Sequence, residues 1–420
     1  MYNTTKKLSG TIELKGDKSI SHRLLMIGSL ISDKHNIKNL SQCEDVLTTM
    51  RCLQECNIHI DHTNNLTTII GGTLKSPKIS LNCKNSGTTA RMLTGLLAGQ
   101  KINSSLIGDA SLSKRPMKRI IKPLEAMSVN IKHTNNMLPI TINTDDIKPI
   151  NYKKLTKSAQ VKSSLMLASL GSSKYSSIAY NKNTRDHTEK ILKYLKFDIS
   201  VKEKIKIRRS NVEKGFSLTV PGDISNASFI IAACIIIPHS KIIIKNVLYN
   251  KTRLGFINAL KKMGANIKVV KKERNQNPEK FCDVTVKHTP KLRGITISGD
   301  EIITMIDEIP IFSIVATQAT SQTIIKNASD LRNKESDRLS LVYKNLVSMG
   351  ANITEQSNGL IINGNKKLYN TIIRHGNDHR IAMSFEVLNL LINSKMDKSY
   401  SEVIKISFPE FYDLMEDLIK

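Results

Sequence analysis

Tryptophan is absent from this sequence, and aromatic residues make up only 5% of it. Single-stranded nucleic acids are commonly held on aromatic platforms, so that mode of binding finds little support here. The six cysteines (Cys43, Cys52, Cys56, Cys83, Cys234 and Cys282) are too few in 420 residues for a disulfide framework. Cys52 and Cys56 stand one helical turn apart and read as reduced thiols on a helix. No CxxC or HExxH pattern adds the further ligands that a metal would need. Long apolar runs are missing too. The longest, FIIAACIIIP at Phe229–Pro238, is far short of the ~20 residues of a membrane span. The opening MYNTTKKLSG has no apolar core of the kind a signal peptide carries, so a cytoplasmic protein is expected. Acidic residues are scarce relative to basic ones: 36 Asp and Glu against 63 Lys and Arg leave a net charge of +27. Such an excess favours anionic partners, whether nucleic acid, acidic lipid or small phosphorylated substrates. The lysines are spread along the chain, as in INYKKLTK, with no basic tail, which also fits a merely solvated face.

What is present is a repeat. KMGANI at Lys262–Ile267 recurs as SMGANI at Ser348–Ile353 and, weakly, as AMSVNI at Ala126–Ile131. Each follows an amphipathic pattern and opens a strand. Upstream of each lies a helix of small and apolar residues. Six such helices are expected, in modules that begin near residues 19, 85, 158, 224, 309 and 378. The module reads helix, strand, helix, strand, with further strands before the next copy. The class is therefore α/β (α+β), with six modules divided three and three between two similar domains. VPGDIS at Val220–Ser225 echoes KGDKSIS at Lys15–Ser21, which marks two crossovers. The expected first domain is 17–221, and the second is discontinuous, 1–16 plus 222–420. Ser, Asp or Asn stands at most of the helix starts, as N-capping requires. If the N-termini point inward, their N–H groups and dipoles make an anion site without a metal.

The candidate chemistry lies at those starts. Lys18-Ser19 follows Gly16-Asp17, with Arg23 a turn later. A phosphate loop would need glycine where Ile12 and Asp17 stand, so that motif is rejected. Asn85-Ser86-Gly87-Thr88-Thr89-Ala90-Arg91 is a second, glycine-containing start. Lys114-Arg115-Pro116-Met117-Lys118-Arg119 reads as a basic run opening a helix, with the proline in its first turn. Lys334 and Arg338 are spaced i, i+4, as in a surface ion-pair helix. Asp307-Glu308 and Asp378-His379-Arg380 sit at the mouths of apolar helices, where caps would also sit. Each cluster alone has an ordinary structural explanation. Their recurrence at one place in six modules points to a shared site.

Taken in order, GDKSISHR, NSGTTARMLTGLLAG, GDASLSKRPMKR, SAQVKSSLMLA, TRDHTEK, PGDISNASF, DEIPIFSIVAT, LRNKESDRL, NDHRIAMS and SFPEF resemble the 5-enolpyruvylshikimate-3-phosphate synthases over almost the whole chain. The resemblance implies the enolpyruvate transferase fold: two domains of three βαβαββ units, with the active site in the interdomain cleft. It implies transfer of the enolpyruvyl group of phosphoenolpyruvate to the 5-hydroxyl of shikimate 3-phosphate, a step of aromatic amino acid biosynthesis. The implied partners are these two small molecules, with no nucleic acid, membrane, metal or cofactor, and the chain is expected to act as a monomer. Carried over motif by motif, Lys18 would touch both substrates. Ser19, Arg23, Ser158, Ala159, Gln160, Arg185, Asp307 and Lys334 would hold shikimate 3-phosphate. Gly87, Arg115, Gln160, Arg338 and Arg380 would hold phosphoenolpyruvate. Asp307 would be the base toward the 5-hydroxyl, and Glu335, with Lys18 or Lys334, would handle the proton at the methylene carbon. Glyphosate, longer than phosphoenolpyruvate but alike in charge, would bind where Gly87 leaves room.

Two departures stand out. Ile406 holds a place that is lysine in some members, with Lys405 one residue off. Ala159 lacks a hydroxyl found in another branch, for which Lys162 or Arg185 would compensate. The related UDP-N-acetylglucosamine enolpyruvyl transferases would have a cysteine before Arg115-Pro116 and a Lys-Asn start, where this chain has none and Lys18-Ser19. A nucleic-acid binder would explain the charge but not its place at helix starts beside carboxylates. No essential thiol is therefore predicted. Cys83→Ser and Cys234→Ser should each keep kcat within about tenfold, or ~1.4 kcal/mol of barrier. Steady-state kinetics of the folded variants checks this.

Overall fold

The computed structural model describes residues 6–273 and 276–420. Residues 1–5 of the opening segment MYNTTKKLSG lie outside it. The chain forms two compact units. The first is Gly16–Val220, joined by the short stretch 276–279; the second holds the other described residues. That stretch is not where the sequence reading put it, since it falls within the expected 222–420 segment. It sits with the first unit because Asn277 Nδ2 donates to the Thr219 carbonyl at 2.7 Å and Glu279 Oε1 lies 2.6 Å from His187 Nδ1.

Each unit is built from one repeated idea. In the first unit, Lys34–Lys38, Ser104–Ile107 and Ser176–Tyr180 each pair with an antiparallel strand on one side and a parallel strand on the other. The parallel partner is the closing strand of the preceding module. Leu81–Asn82 feeds the second sheet, Asn151–Thr156 the third, and Ser217–Thr219 returns to the first. Three four-stranded sheets thus close on one another in a ring of connections. Strand faces alternate, as in Lys34–Lys38, where His35 and Ile37 are buried between outward lysines.

The second unit has two such sheets among its described residues. One is Ser9–Glu13 with Lys241–Tyr249, Lys280–Lys287 and Ile267–Lys272. The other is Thr296–Ile297 with Gln322–Ile325, Gly359–Asn363 and Asn352–Gln356. The last module departs from the expected βαβαββ pattern. After the helix His379–Leu391 come the short helices Ser401–Ile404 and Phe411–Leu418, with only an isolated bridge from Leu8 to Ile419. The spacing of Ile404, Phe408, Phe411, Met415 and Leu418, all buried, is helical. Phe411 packs edge-on against Phe229 at 6.4 Å and Phe408 at 5.6 Å. A strand would split that stripe between two faces.

The six small-residue helices run Lys18–Gly28, Gly87–Gly99, Ala159–Ser169, Ile224–Ile236, Ile309–Ala316 and His379–Leu391. Ile224–Ile236 and His379–Leu391 are buried at every residue, so they have no polar face to show. Close packing explains the small residues. A Cβ on Gly95 would lie 2.2 Å from the Ser164 carbonyl oxygen, so glycine lets the Gly87 and Ala159 helices meet backbone to backbone. Side chains of Asp17, Ser86, Ser158, Asp223 and Asp378 cap five of the six. The Ile309 helix instead has Pro310 in its first turn, where no N–H is needed.

Candidate functional site

In the first unit the sequence-predicted residues gather at the starts of three helices. Lys18 Nζ pairs with Asp45 Oδ2 at 2.9 Å. Arg23, only 3% exposed, donates from Nε to Thr188 Oγ1 at 2.7 Å, from Nη2 to Ser163 Oγ at 2.8 Å and from Nη1 to the Ser19 carbonyl at 2.7 Å. Arg185 Nη1 donates to Ser19 Oγ at 3.4 Å. Ser158 Oγ accepts the Val161 N–H as a cap, which leaves its own hydroxyl proton to give. Gln160 accepts from Arg91 Nη1 at 2.9 Å and donates to Thr88 Oγ1 at 3.0 Å. Arg115 Nη2 donates to Asn85 Oδ1. Beneath them His22 is fully enclosed. Burial, with Lys18 and Arg23 adding to it, pushes its pKa well below the ordinary value, so it stays neutral. Hydroxyls, amides and carbonyls are among the groups that orient the guanidinium groups here, while Lys18 is paired with a carboxylate.

In the second unit the arrangement is carboxylate-rich. Asp307 Oδ1 accepts from Lys334 Nζ at 3.1 Å and from Arg338 Nη1 at 3.2 Å. Arg338 is 1% exposed. Its Nε and Nη2 hold Asp378 at 2.8 and 3.3 Å, and Nη2 also donates to Glu335 Oε2 at 2.6 Å. Burial works against the charged guanidinium, but Asp378, Glu335 and Asp307 outweigh it and raise its pKa. Burial likewise opposes ionisation of Asp378, but Arg338 prevails and lowers its pKa. Arg380 Nη1 donates to the Asp307 carbonyl at 3.2 Å and lies 3.6 Å from Glu308 Oε1. Glu308 accepts from Ser225, which accepts from Arg253 Nη2 at 2.8 Å. These bonds tie the starts of the Ile224, Ile309 and His379 helices together.

Several readings need correction. Arg115-Pro116 does not open a helix. The helix begins at Lys118, and Arg115 closes a short turn of 3-10 helix, Leu112–Lys114, in an extended conformation. Lys334 and Arg338 do not share a helix. Lys334 is extended, the helix starts at Arg338, and Arg338 is buried, so this is no surface ion-pair helix. The Glu308 side chain accepts no capping N–H at the start of the Ile309 helix, and Asp307 and Glu308 both face cations. Of the two residues named as compensating at Ala159, Lys162 has its charge engaged elsewhere. It is fully buried and bound to Glu189 at 2.5 Å. A methyl on Gly87 would first meet Arg91 Nη1, at 2.6 Å, with Arg115 Nη1 at 3.6 Å. Its effect would therefore reach Gln160 through Arg91.

Sequence reasoning missed Asp45 and gave Arg91 no role. Asp45 sits in the first turn of Glu44–Glu55, in a segment with no distinguishing motif. Arg91 stands within NSGTTAR, one turn after Gly87, which was the available signal. Asp186, His187 and Glu279 bring three possible metal-ligand atoms within 4.8 Å. Lys190 Nζ already stands 3.3 Å from Asp186 and 3.4 Å from Glu279, so the charge there is met by an ammonium. The six thiols are free and buried, and burial pushes Cys43 up to about 11 and Cys234 and Cys282 to about 12. No described helix is long and apolar enough to cross a membrane.

Residues 2–415 match the family model of EPSP synthase (3-phosphoshikimate 1-carboxyvinyltransferase). The chain belongs to the EPSP synthase family. Among similar proteins, the 3-phosphoshikimate 1-carboxyvinyltransferase of Petrotoga mobilis is 41% identical over 425 residues, covering 99% of this chain and 98% of its own. That of Bacillus cytotoxicus is 39% identical over 419 residues, with 98% of each covered. The solved EPSP synthase of Acinetobacter baumannii superposes with a TM-score of 0.85 at 34% identity, over 100% of this chain and 98% of that one. The enolpyruvyl transferase NikO of Streptomyces tendae, at 13% identity and a TM-score of 0.76 over 100% and 97%, shares the fold. The architecture is thus the two-domain enolpyruvate transferase fold, and the protein is a transferase of this family.

Arg338 and Asp378 form a buried pair, with side chains 1% and 0% exposed. Asp378→Asn should cost about 3–5 kcal/mol of stability near neutrality, because it leaves a buried guanidinium short of charge. A carboxylate held below its ordinary pKa contributes fully above about pH 4 and loses its contribution as pH falls through the folded value. The deficit of the variant should therefore shrink in acid. Urea unfolding of both proteins at pH 7 and near pH 3 measures it.

Proposed function

We propose that this chain transfers the enolpyruvyl group of phosphoenolpyruvate to the 5-hydroxyl of shikimate 3-phosphate, releasing phosphate. The observation that carries the reading is Asp307, a carboxylate flanked by Lys334 and Arg338 where the family motif places a base. Two cations stand beside it, and a carboxylate so placed can accept the proton of a hydroxyl brought to it.

In this reading Lys18, Ser19, Arg23, Ser158, Gln160 and Arg185, with the backbone at Ala159, receive shikimate 3-phosphate together with Asp307 and Lys334. Lys18, Gly87, Arg115, Gln160, Arg338 and Arg380 receive phosphoenolpyruvate. The two substrates carry two phosphates and two carboxylates. Without cations and N–H donors their mutual repulsion would keep them apart. Arg338 contributes chiefly by holding Asp307, Glu335 and Asp378, since all but one of its N–H groups are engaged by them.

The chemistry then follows general acid–base logic. A proton delivered to the methylene carbon, by Glu335 with Lys18 or Lys334, makes the neighbouring carbon cationic. The 5-hydroxyl oxygen bonds to that carbon as Asp307 takes its proton. The resulting tetrahedral adduct expels phosphate, and the methyl group gives back a proton to restore the double bond. Preorganised cations stabilise the charge that develops on the phosphate oxygens. The reading places the chain in the shikimate pathway and implies a cytoplasmic monomer that needs no cofactor.

Phosphate release should require both substrates. Release without shikimate 3-phosphate, or with UDP-N-acetylglucosamine as the effective acceptor, would overturn the reading. Asp307→Asn keeps the shape but cannot take the proton, so kcat should fall by roughly 10²–10⁴ while KM changes modestly. A variant that loses stability but keeps its rate would assign Asp307 a purely structural part.

A further inference from the structure

Between the strand Ser176–Tyr180 and the helix His187–Tyr194 the chain turns through the segment that carries Arg185. Each residue from Thr184 to Glu189 is tied down. The Thr184 carbonyl accepts from Lys162 Nζ at 3.4 Å, and Arg185 reaches Ser19. Asp186 faces Lys190, His187 faces Glu279, Thr188 accepts from Arg23, and Glu189 pairs with Lys162.

Lys162 differs from the other partners in its cost. Its side chain is 0% exposed and that of Glu189 is 4% exposed. A buried ion pair seldom repays the desolvation of both charges, and apolar residues of like volume can serve stability as well. Burial pushes the Glu189 pKa up, and Lys162 only partly opposes it. The pair is thus a poor device for stability, and its geometry suggests another use. The ammonium lies 5.2 Å from the centre of the Tyr180 ring, so one charged group meets the end of the strand, the residue before Arg185 and the first turn of the next helix. Lys162 itself stands in the first turn of Ala159–Ser169, beside Ser158, Ala159 and Gln160.

We propose that Lys162 is a positioning residue, whose contacts with Thr184 and Glu189 set the Arg185 guanidinium where it reaches Ser19, so that it and the Ser158–Ala159 helix start together receive a phosphomonoester. The proposal rests on the reading that Arg185 and this helix start hold the phosphate of shikimate 3-phosphate. Ala159 brings no hydroxyl, so recognition leans on Arg185, and a planar guanidinium tolerates little displacement from its bidentate geometry.

The test replaces both partners by apolar residues of similar size, Lys162→Met with Glu189→Leu, so that no lone charge is left buried. Direct binding of shikimate 3-phosphate and of unphosphorylated shikimate is measured by calorimetry, in the parent and in an Arg185→Ala background. The expected result is about tenfold weaker binding of shikimate 3-phosphate, a change of no more than about twofold for shikimate, and no further loss once Arg185 is gone. Lys162→Arg keeps the ion pair and hence the fold but moves the loop; it should weaken shikimate 3-phosphate by about threefold and leave shikimate alone. Equal losses for both ligands, the same loss without Arg185, or no loss in either variant would overturn the proposal alone. A parent protein that does not bind shikimate 3-phosphate would overturn the underlying reading, and the proposal with it.

Discussion

A cation at the N-terminus of a helix stands in an unfavourable field, because the free N–H groups there already present positive charge. In this protein Lys18, Arg338 and Arg380 all occupy such places. Each is paired with a carboxylate, Asp45, Asp378 and Glu308 respectively. The rest of each site is arranged around that constraint. Where the countercharge is deeply enclosed, as at Asp378, the pair also fixes the chain segments that meet on it. Ser336 donates to the same carboxylate at 2.9 Å, and the Arg380 N–H does so at 2.9 Å, so the approach to the Arg338 helix and the start of the His379 helix share one anchor.

The two units solve the problem differently. In the first unit hydroxyls and amides surround the guanidinium groups of Arg23, Arg91 and Arg115. Such partners orient a cation, and in the proposed function these cations meet phosphates and carboxylates. In the second unit Asp307, Glu335 and Asp378 converge on Arg338. There the cation is largely spent on holding carboxylates in place, which suits proton transfer.

The modules are alike in backbone because the buried helices demand it. Gly95 and Gly99 permit contact with the Ala159 helix at distances a side chain would forbid. The one module that abandons the pattern, after His379–Leu391, does so where aromatic residues can fill space that a sheet fills elsewhere. Phe411 packs edge-on against both Phe408 and Tyr412 there.

Much of this was written locally in the chain. Capping residues, glycine placement and apolar period located all six buried helices, and the ordered motifs carried the family. These features depend on neighbours within a turn or two, which is the range over which a sequence pattern speaks. The tertiary structure decided what each charge does. Arg23 meets Ser163 and Thr188, 140 and 165 residues away, and Arg338 meets Asp378 across 40. Spacing alone made Lys334 and Arg338 a surface pair and drew Arg115 into a helix, and the resemblance offered Lys162 to compensate at Ala159. Burial and distant partners reassigned all three. A side chain's charge is a local property, but whether that charge is solvated, neutralised or enclosed is set by groups that only folding brings near.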